Sequence, residues 1–207
     1  MTVEERPDHL RGHWAQIRAQ RVAGSYYPQP VRRVEIPKDN GQGVRLLGVP
    51  TVLDRFIQQA IAQVVSAHWE PHFHPRSYGF RPGRSAHEAV RQLQADIRDG
   101  YGWVVDLDLE AFFDRVNHDR LIIRLKQHVP EAALLCLINR YLKAGVQVGE
   151  HIEATARGVP PGGPLSPVLS NVVLDELDWE LERRGHRFAG TPMTATWWSR
   201  ANARASG

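Results

Sequence analysis

The sequence predicts an α/β fold, because helical periodicity and strand-like alternation follow one another along the chain. Residues 31–50 and 146–156 each read as two short strands around turn residues, as in β-hairpins. The segment "WVVDLDL", which begins at Trp103, reads as a further strand with an apolar face. At 207 residues the chain is long enough for one domain, or one and a half.

The helices are expected between these strands. In the second helix, Phe56, Ile57, Ala60 and Ile61 recur at helical spacing after Asp54, which we expect to be its N-cap. The expected helices, in chain order, are 10–23, a helix that starts at 54, 85–98, 117–128, 131–144, and a long helix after the loop "RGVPPGGP" that Gly185 ends. The last residues, "TPMTATWWSRANARASG", have no periodicity, and we expect them to be disordered.

Composition sets broad limits on function. The net charge is only +3, but all 26 basic residues except Lys38, Lys126 and Lys143 are arginine, which suits phosphate binding. GC-rich coding DNA would give the same bias, so charge favours nucleic acid only weakly. Cys136 is the only cysteine, which excludes an internal disulfide. No apolar run approaches the ~20 residues of a membrane span, so we expect no membrane partner and a cytoplasmic location.

Two acids lie inside the predicted strand of "WVVDLDLEAFFDRVNHD". Asp106 and Asp108 share one strand face with Val104, opposite the apolar stripe. Carboxylates at a strand end suit Mg²⁺, which prefers hard oxygen ligands. Two other readings remain open on this pair alone: solvent-facing acids on a half-exposed strand, or the D-x-D metal site of a glycosyltransferase.

The context of this pair resembles the first catalytic motif of reverse transcriptases encoded by group II introns, the intron maturases. Three other segments resemble the same family in the same order: "RRVEIPKDNGQGVRLLGVPTVLDRFIQQAI", "SYGFRPGRSAHEAV" and "GVPPGGPLSPVLSN". The resemblance covers about residues 10–188. It implies a right-hand polymerase architecture lacking its thumb, with fingers over 1–100, a partial palm over 101–187 and a tail from 188 to 207.

The resemblance also implies site residues. Asp108 would be the catalytic, metal-binding carboxylate of a two-Mg²⁺ site, helped by the backbone carbonyl of Leu109. Phe113 would exclude a ribose 2′-hydroxyl, so the substrates would be deoxynucleoside triphosphates. Lys38 and Arg45 would contact the triphosphate. Core packing for Phe113 and simple surface solubility for Lys38 and Arg45 remain alternatives.

Four further residues lie in or beside these motifs. Arg81 and Arg84 would contact nucleotide or template phosphate, or be structural. Asp106 would at most support the metal ligand, and Asp114 would cap or pair locally.

The sequence departs from the family pattern in two places. Pro161 stands where the family has a glutamine that contacts the incoming nucleotide, and proline has neither an amide side chain nor a backbone N–H. Thr191-Pro192-Met193-Thr194 stands where the family has Tyr-Ala-Asp-Asp, whose acids complete the metal site. Read one base earlier, the codons of this tetrapeptide permit Tyr-Ala-Asp-Asp, and "HRFCRYADD" becomes "HRFAGTP" when a single T is lost. We therefore expect an out-of-frame tail, arising in the genome or in sequencing.

The functional expectation follows from these departures. The intact form would copy RNA into DNA with Mg²⁺ and assist intron splicing and mobility, with intron RNA, an RNA template and a DNA primer as partners. This chain is expected to be catalytically inactive, because one carboxylate cannot hold two metals. The alternative is a residual RNA-binding module without catalysis.

Overall fold

The structure is a computed structural model, and it describes residues 6–38, 43–109, 112–191 and 194–199. The helices are α1 Arg6–Val22, α2 Val52–Trp69, α3 Ala86–Arg98, α4 Phe112–Arg115, α5 His118–Leu125, α6 Ala132–Leu142 and α7 Ser166–Arg183. The strands are β1 Val31–Pro37, β2 Val44–Val49, β3 Trp103–Asp108, β4 Val146–Val148, β5 His151–Glu153, β6 Arg187–Thr191 and β7 Thr194–Ser199. The mixed α/β class is confirmed.

The chain divides into two compact units, each built from two segments. The first unit combines the chain up to His68 with Phe113–Ser166, and the second combines Trp69–Phe112 with the chain from Pro167. This division differs from the predicted boundary at residue 100. The reason is long-range pairing: β4 pairs with β1, and β6 contacts α3, so distant segments fold together.

The first unit contains a four-stranded sheet in the order β2-β1-β4-β5. β1 pairs antiparallel with β2 and parallel with β4, while β4 and β5 form the second predicted hairpin. Apolar residues recur at helical spacing on the helices of this unit and are buried, which accounts for the core. They include Ile57, Ile61, Val65, Leu121, Leu125, Ile138 and Leu142.

A polar cluster lies at the start of α2. The Thr51 hydroxyl accepts a hydrogen bond from the Asp54 amide at 3.1 Å, so Thr51 caps this helix and the prediction that Asp54 is the N-cap is wrong. Asp54 is instead a buried acceptor for the hydroxyls of Thr51 (2.6 Å), Tyr26 (2.7 Å) and Tyr141 (3.2 Å). Burial, together with the Asp54 carboxylate, raises the pKa of both tyrosines, so they remain protonated donors.

The second unit contains a three-stranded sheet in the order β3-β7-β6. β6 also contacts the segment before α3, because the Tyr78 amide donates to the Gly190 carbonyl (2.8 Å) and the Gly190 amide donates to the Arg76 carbonyl (3.0 Å). The two faces of β6 bury different neighbours. Phe188 packs with Leu181 and Leu177 of α7, whereas Ala189 packs with Tyr78, Ala89 and Leu93.

Part of the tail that was expected to be disordered from residue 188 forms strands in the structure. Residues 187–191 form β6 and residues 194–199 form β7, which pairs antiparallel with both β6 and β3. Residues 200–207, the rest of that predicted tail, lie outside the described residues. The signal that was overlooked is local: Thr and Trp, which dominate Thr194–Ser199, are among the residues most favoured in strands.

Two smaller features complete the fold. The short helix α4 was not expected, since four residues are too few to show a helical period. Across the helices of the described ranges, none combines the length and apolarity that a membrane span would need.

Candidate active site

The predicted metal ligands lie at the end of β3, in the second unit. Asp108 is the last residue of this strand, and its Cα partner on β7 is Thr194. The side chains of residues 106–108 lie outside the described part, so the prediction for the Asp108 carboxylate stays a prediction. The Leu109 carbonyl, the other predicted ligand, accepts a hydrogen bond from the Phe112 amide at 3.3 Å, which starts the turn into α4.

A two-metal centre does not fit the residues at this place. Two metals about 4 Å apart need several carboxylates, and "RFAGTPMTATWWS", which spans β6 and β7, contains none. Among the side chains that the structure describes, which do not include those of residues 106–108 and 194–199, no group of three or more His, Cys, Asp or Glu could hold a metal ion. In the register of β3 and β7, a threonine is the partner of the strand-end aspartate.

The other predicted site residues, except Arg81, lie in the first unit. Phe113 is partly buried on α4, and its carbonyl accepts a hydrogen bond from the Val159 amide at 2.7 Å. A Cβ on Gly158 would meet this carbonyl at 3.0 Å, and the φ of +92° at Gly158 also favours glycine. The His118 ring donates to the Gly158 carbonyl at 2.6 Å, so the loop after residue 157 is held against the start of α5.

The loop containing Pro161 lies on β2 and α2. The Pro161 carbonyl accepts a hydrogen bond from the Gly48 amide at 2.7 Å. Gly162 has φ +113° and lies so close to Gly48 that a Cβ would stand 3.0 Å from its carbonyl oxygen, while a Cβ on Gly163 would collide with the Gln58 side chain. The two glycines after Pro161 are therefore needed for close packing, and Pro161 itself stays partly exposed.

Beside Pro161 lies a cavity of about 170 Å³ with charged walls. Arg33 and Glu153 form an ion pair there at 2.7 Å, and Asp114 and Arg157 also line the cavity. Both charge signs are present, so the cavity has donors and acceptors for a polar group but no excess of positive charge for a triphosphate.

Lys38 and Arg45 flank the turn of the first hairpin, as predicted. The Lys38 amide donates to the Gly43 carbonyl at 3.1 Å, and Arg45 is the register partner of Ile36. Both side chains are exposed, which leaves them accessible to an anionic partner. The turn residues between them, 39–42, lie outside the described part. Their role in nucleotide binding stays a prediction.

Arg81, a predicted nucleotide contact, is held by hydrogen bonds to neighbouring residues of its own unit. Its guanidinium donates to the Glu70 carboxylate through Nε and Nη2 (2.8 Å), and to the carbonyls of His74 (2.7 Å) and Ser77 (2.8 Å) through Nη1. A longer contact of 3.5 Å from Nη2 reaches the Glu70 carbonyl. Every N–H of the guanidinium thus has an acceptor, and the residue is only 7% exposed, so no donor remains for a phosphate.

Phe80 has an unusual conformation and was not among the site residues predicted from the sequence. This residue has φ +52°, a left-handed conformation that is uncommon for a bulky side chain, and it is 54% exposed. Arg81 fixes the backbone of this loop on one side of Phe80. On the other side, the side-chain amide of Asn171 donates to the Gly79 carbonyl at 2.7 Å. The exposed Arg84 lies over the Tyr78 ring at 5.7 Å. The loop therefore presents an aromatic ring and a guanidinium at the surface.

Residues 36–190 match the family model described as "Reverse transcriptase (RNA-dependent DNA polymerase)". The chain belongs to this family. It is 40% identical over 155 residues to the group II intron-encoded protein LtrA of Lactococcus lactis, and 40% identical over 173 residues to protein YkfC of Escherichia coli K12. These alignments cover 75% and 81% of this chain. The intron-encoded branch of the family is thereby confirmed, and the glycosyltransferase reading of the D-x-D pair is excluded.

Solved reverse transcriptases show the same fold. A chain of the partial Cas6-RT-Cas1–Cas2 complex matches 97% of this chain with a TM-score of 0.56 and 28% identity, and 34% of that chain is covered. Telomerase from Candida tropicalis, in complex with a fragment of telomeric RNA, matches 92% of this chain with a TM-score of 0.64, and 40% of the telomerase chain is covered. The identity is 12%, so this match supports the fold alone. The reverse transcriptase chain spans 45% of YkfC and 26% of LtrA.

Proposed function

We propose that this chain is an RNA-binding portion of a group II intron-type reverse transcriptase and that it does not polymerise DNA by itself. The observation that carries the second half is the register of β3 and β7, in which Thr194 is the partner of Asp108. A phosphoryl-transfer site of this family would use two Mg²⁺ ions, with Asp108 and the Leu109 carbonyl among the ligands. The absence of acids from residues 187–199 removes the other side of that site.

The substrate side of the proposal rests on the first hairpin and on Pro161. Lys38 and Arg45 would hold the phosphates of a deoxynucleoside triphosphate, with Phe113 against its sugar. Pro161 would weaken that binding, because it offers no side-chain donor where the family has an amide, and its carbonyl is already bound to Gly48.

Primer extension tests the inactivity. The purified chain is incubated with a DNA primer on an RNA template, deoxynucleoside triphosphates and Mg²⁺, beside the Asp108→Ala variant as a matched control. We expect no extension product from either protein. Extension by the parent chain that Asp108→Ala abolishes would overturn the proposal, because it would prove a working site around Asp108.

RNA binding is the activity that the remaining surface supports. Lys38 and Arg45 are exposed on the first hairpin, and Phe80 and Arg84 are exposed on the loop before α3. Exposed arginines neutralise phosphates, and exposed aromatic rings stack on unpaired bases, which is worth about 1–3 kcal/mol per base. We propose single-stranded or looped intron RNA as the ligand class.

Salt-dependent gel shift tests this half of the proposal. The double variant Lys38→Ala/Arg45→Ala is expected to bind a structured intron RNA more weakly and to show a smaller dependence of log K on log salt, by about 1–2 units. The matched control is Arg120→Ala/Lys126→Ala, which removes two exposed basic residues near α5 of the same unit. Equal losses in the two double variants would mean that charge alone, and not the hairpin, binds the RNA.

We also propose that a lost base near Phe188 accounts for the sequence of the tail up to residue 207. Resequencing the gene across codons 185 to 195 and the DNA that follows tests this proposal. A frame that opens into Tyr-Ala-Asp-Asp when one base is restored would support it. A continuous frame with no such reading downstream would reject it.

A further inference from the structure

Two buried aspartates lie beside β6, one on each face of the strand. Asp96 of α3 is fully buried and Asp178 of α7 is 4% exposed. A buried carboxylate is costly unless charges or hydrogen bonds compensate it. Both carboxylates therefore carry a desolvation cost within the same unit, but the side chains around them differ.

Asp96 is compensated by two arginines. Arg76 makes a two-point contact with its carboxylate (2.6 and 3.1 Å), and Arg187 of β6 adds a third contact at 3.1 Å. Burial alone would raise the pKa of Asp96, but the hydrogen bonds from Arg76 and Arg187 outweigh it and hold this pKa below its usual range. On this face, β6 itself supplies a cation.

On the opposite face, the part of the chain that the structure describes places no arginine or lysine in hydrogen-bond contact with Asp178. The groups that face it are Asp175 on its own helix, Ser77 and Arg81 on the segment before α3, and Gly190 on β6. Burial raises the pKa of Asp178 to about 7; Asp175 adds to this effect, while the Ser77 hydrogen bond and the charge of Arg81 oppose it. Arg81 cannot donate to Asp178, since its N–H groups are already committed to Glu70, His74 and Ser77.

Gly190 is the position on β6 that is directed at Asp178. A Cβ built on Gly190 would lie 3.3 Å from Asp178 Oδ1 and 3.6 Å from Oδ2. Residue 190 is on the same strand face as Phe188, which packs on α7. Both backbone polar groups of Gly190 are hydrogen-bonded to Arg76 and Tyr78, so the main chain at this position is fixed.

The reading frame proposed above indicates which residue belongs at this position. Ala189-Gly190-Thr191 is encoded as GCN GGN ACN, and in the frame that permits Tyr-Ala-Asp-Asp the codon for position 190 reads NGG. NGG encodes Arg, Trp or Gly. Of these three residues, only arginine would compensate a buried carboxylate.

We propose that Asp178 is a positioning residue for the β6–β7 hairpin, that its partner is a basic side chain at position 190, and that this chain has lost that partner in Gly190. Such an ion pair would attach the hairpin to α7 on one face, as Arg187 attaches it to α3 on the other. The turn of that hairpin leads to the partner of Asp108, so the pair would set where a second catalytic strand stands. The choice of a basic residue at position 190 rests on the lost base proposed above, whereas the closeness of Gly190 to Asp178 does not, and the pair is measured without polymerase activity.

The test is the pH dependence of unfolding by urea in the full chain. A carboxyl whose pKa is raised on folding contributes stability that is present below its unfolded pKa of about 4 and is lost as the pH rises through the folded value. We expect Gly190→Arg to exceed Gly190→Gln in folding equilibrium constant by about tenfold or more at pH 8, and by much less at pH 5. Gly190→Gln is the matched control, since it adds a similar bulk without the charge.

Asp178→Asn keeps the inference testable even if both variants at position 190 are too bulky to fold. In the otherwise unchanged chain, Asp178→Asn is expected to be more stable than the parent at pH 8 and to lose the stability change between pH 5 and pH 8 that the parent shows. A parent chain that Asp178→Asn destabilises at pH 8 would overturn the inference, because Asp178 would then already be compensated. So would equal stabilities of folded Gly190→Arg and Gly190→Gln at pH 8.

Discussion

Replacing Arg81 by lysine separates a structural arginine from one that binds nucleotide. Lysine keeps the positive charge but has three N–H donors instead of five, and it lacks the planar fork. A phosphate contact would tolerate this change in part. The network that Arg81 makes with Glu70, His74 and Ser77 would not, because it uses the whole fork.

The magnitude follows from the bonds that lysine cannot replace. An ammonium placed near the Glu70 carboxylate would leave at least two acceptors in this buried site without a donor, and each costs about 1–1.5 kcal/mol. Loss of packing over the Phe73 ring, which the guanidinium approaches to 5.3 Å, adds up to about 1 kcal/mol. We expect Arg81→Lys to lower the free energy of unfolding by about 2–4 kcal/mol.

Urea denaturation followed by circular dichroism measures this change. Arg84→Lys is the matched control: it alters an exposed arginine of the same loop and should change the free energy of unfolding by no more than about 0.5 kcal/mol. An Arg81→Lys protein that is as stable as the parent but binds RNA more weakly would refute the structural role.

Three further predictions concern stability. Asp54→Asn should cost about 2–4 kcal/mol in free energy of unfolding, because an amide donor then faces the hydroxyls of Tyr26 and Tyr141; Asp119→Asn, an exposed acid, is the control. Phe188→Ala should cost about 3–5 kcal/mol, because the ring is fully buried against α7; a smaller loss in thermal denaturation would mean that β6 is not part of the core. Ser85→Ala should cost about 1 kcal/mol and speed amide exchange in the first turn of α3, since Ser85 and Glu88 form a capping box there; unchanged exchange would contradict this.

Local signals in the sequence predicted much of the fold. The first hairpin, α3 after Ser85 and α7 before Gly185 lie where turn residues, caps and apolar periodicity placed them. The composition of the two units was not predictable in this way. It depends on pairings between distant segments, such as Val31 with Val146, which leave no local trace in the sequence.

The candidate site was predictable in part and for similar reasons. The motif around Asp108 identified the family, which the comparisons then confirmed. The role of Arg81 was not predictable. The sequence of a Gly- and Pro-rich loop around an arginine is the same whether its guanidinium contacts a phosphate or two backbone carbonyls. Only the positions of the His74 and Ser77 carbonyls distinguish the two roles.

The β6–β7 hairpin shows that two strands can pair without acidic residues. Phe188 precedes the segment that we propose to be out of frame, and its burial against α7 fixes the start of β6. Beyond it, the pairing of β7 with β3 requires backbone N–H and C=O groups, which any sequence without proline supplies. Catalysis requires carboxylates at given register positions, and Thr194 offers none opposite Asp108. Strand pairing therefore does not depend on the residues that catalysis would need, and a match in fold to reverse transcriptases is not by itself a measure of activity in this chain.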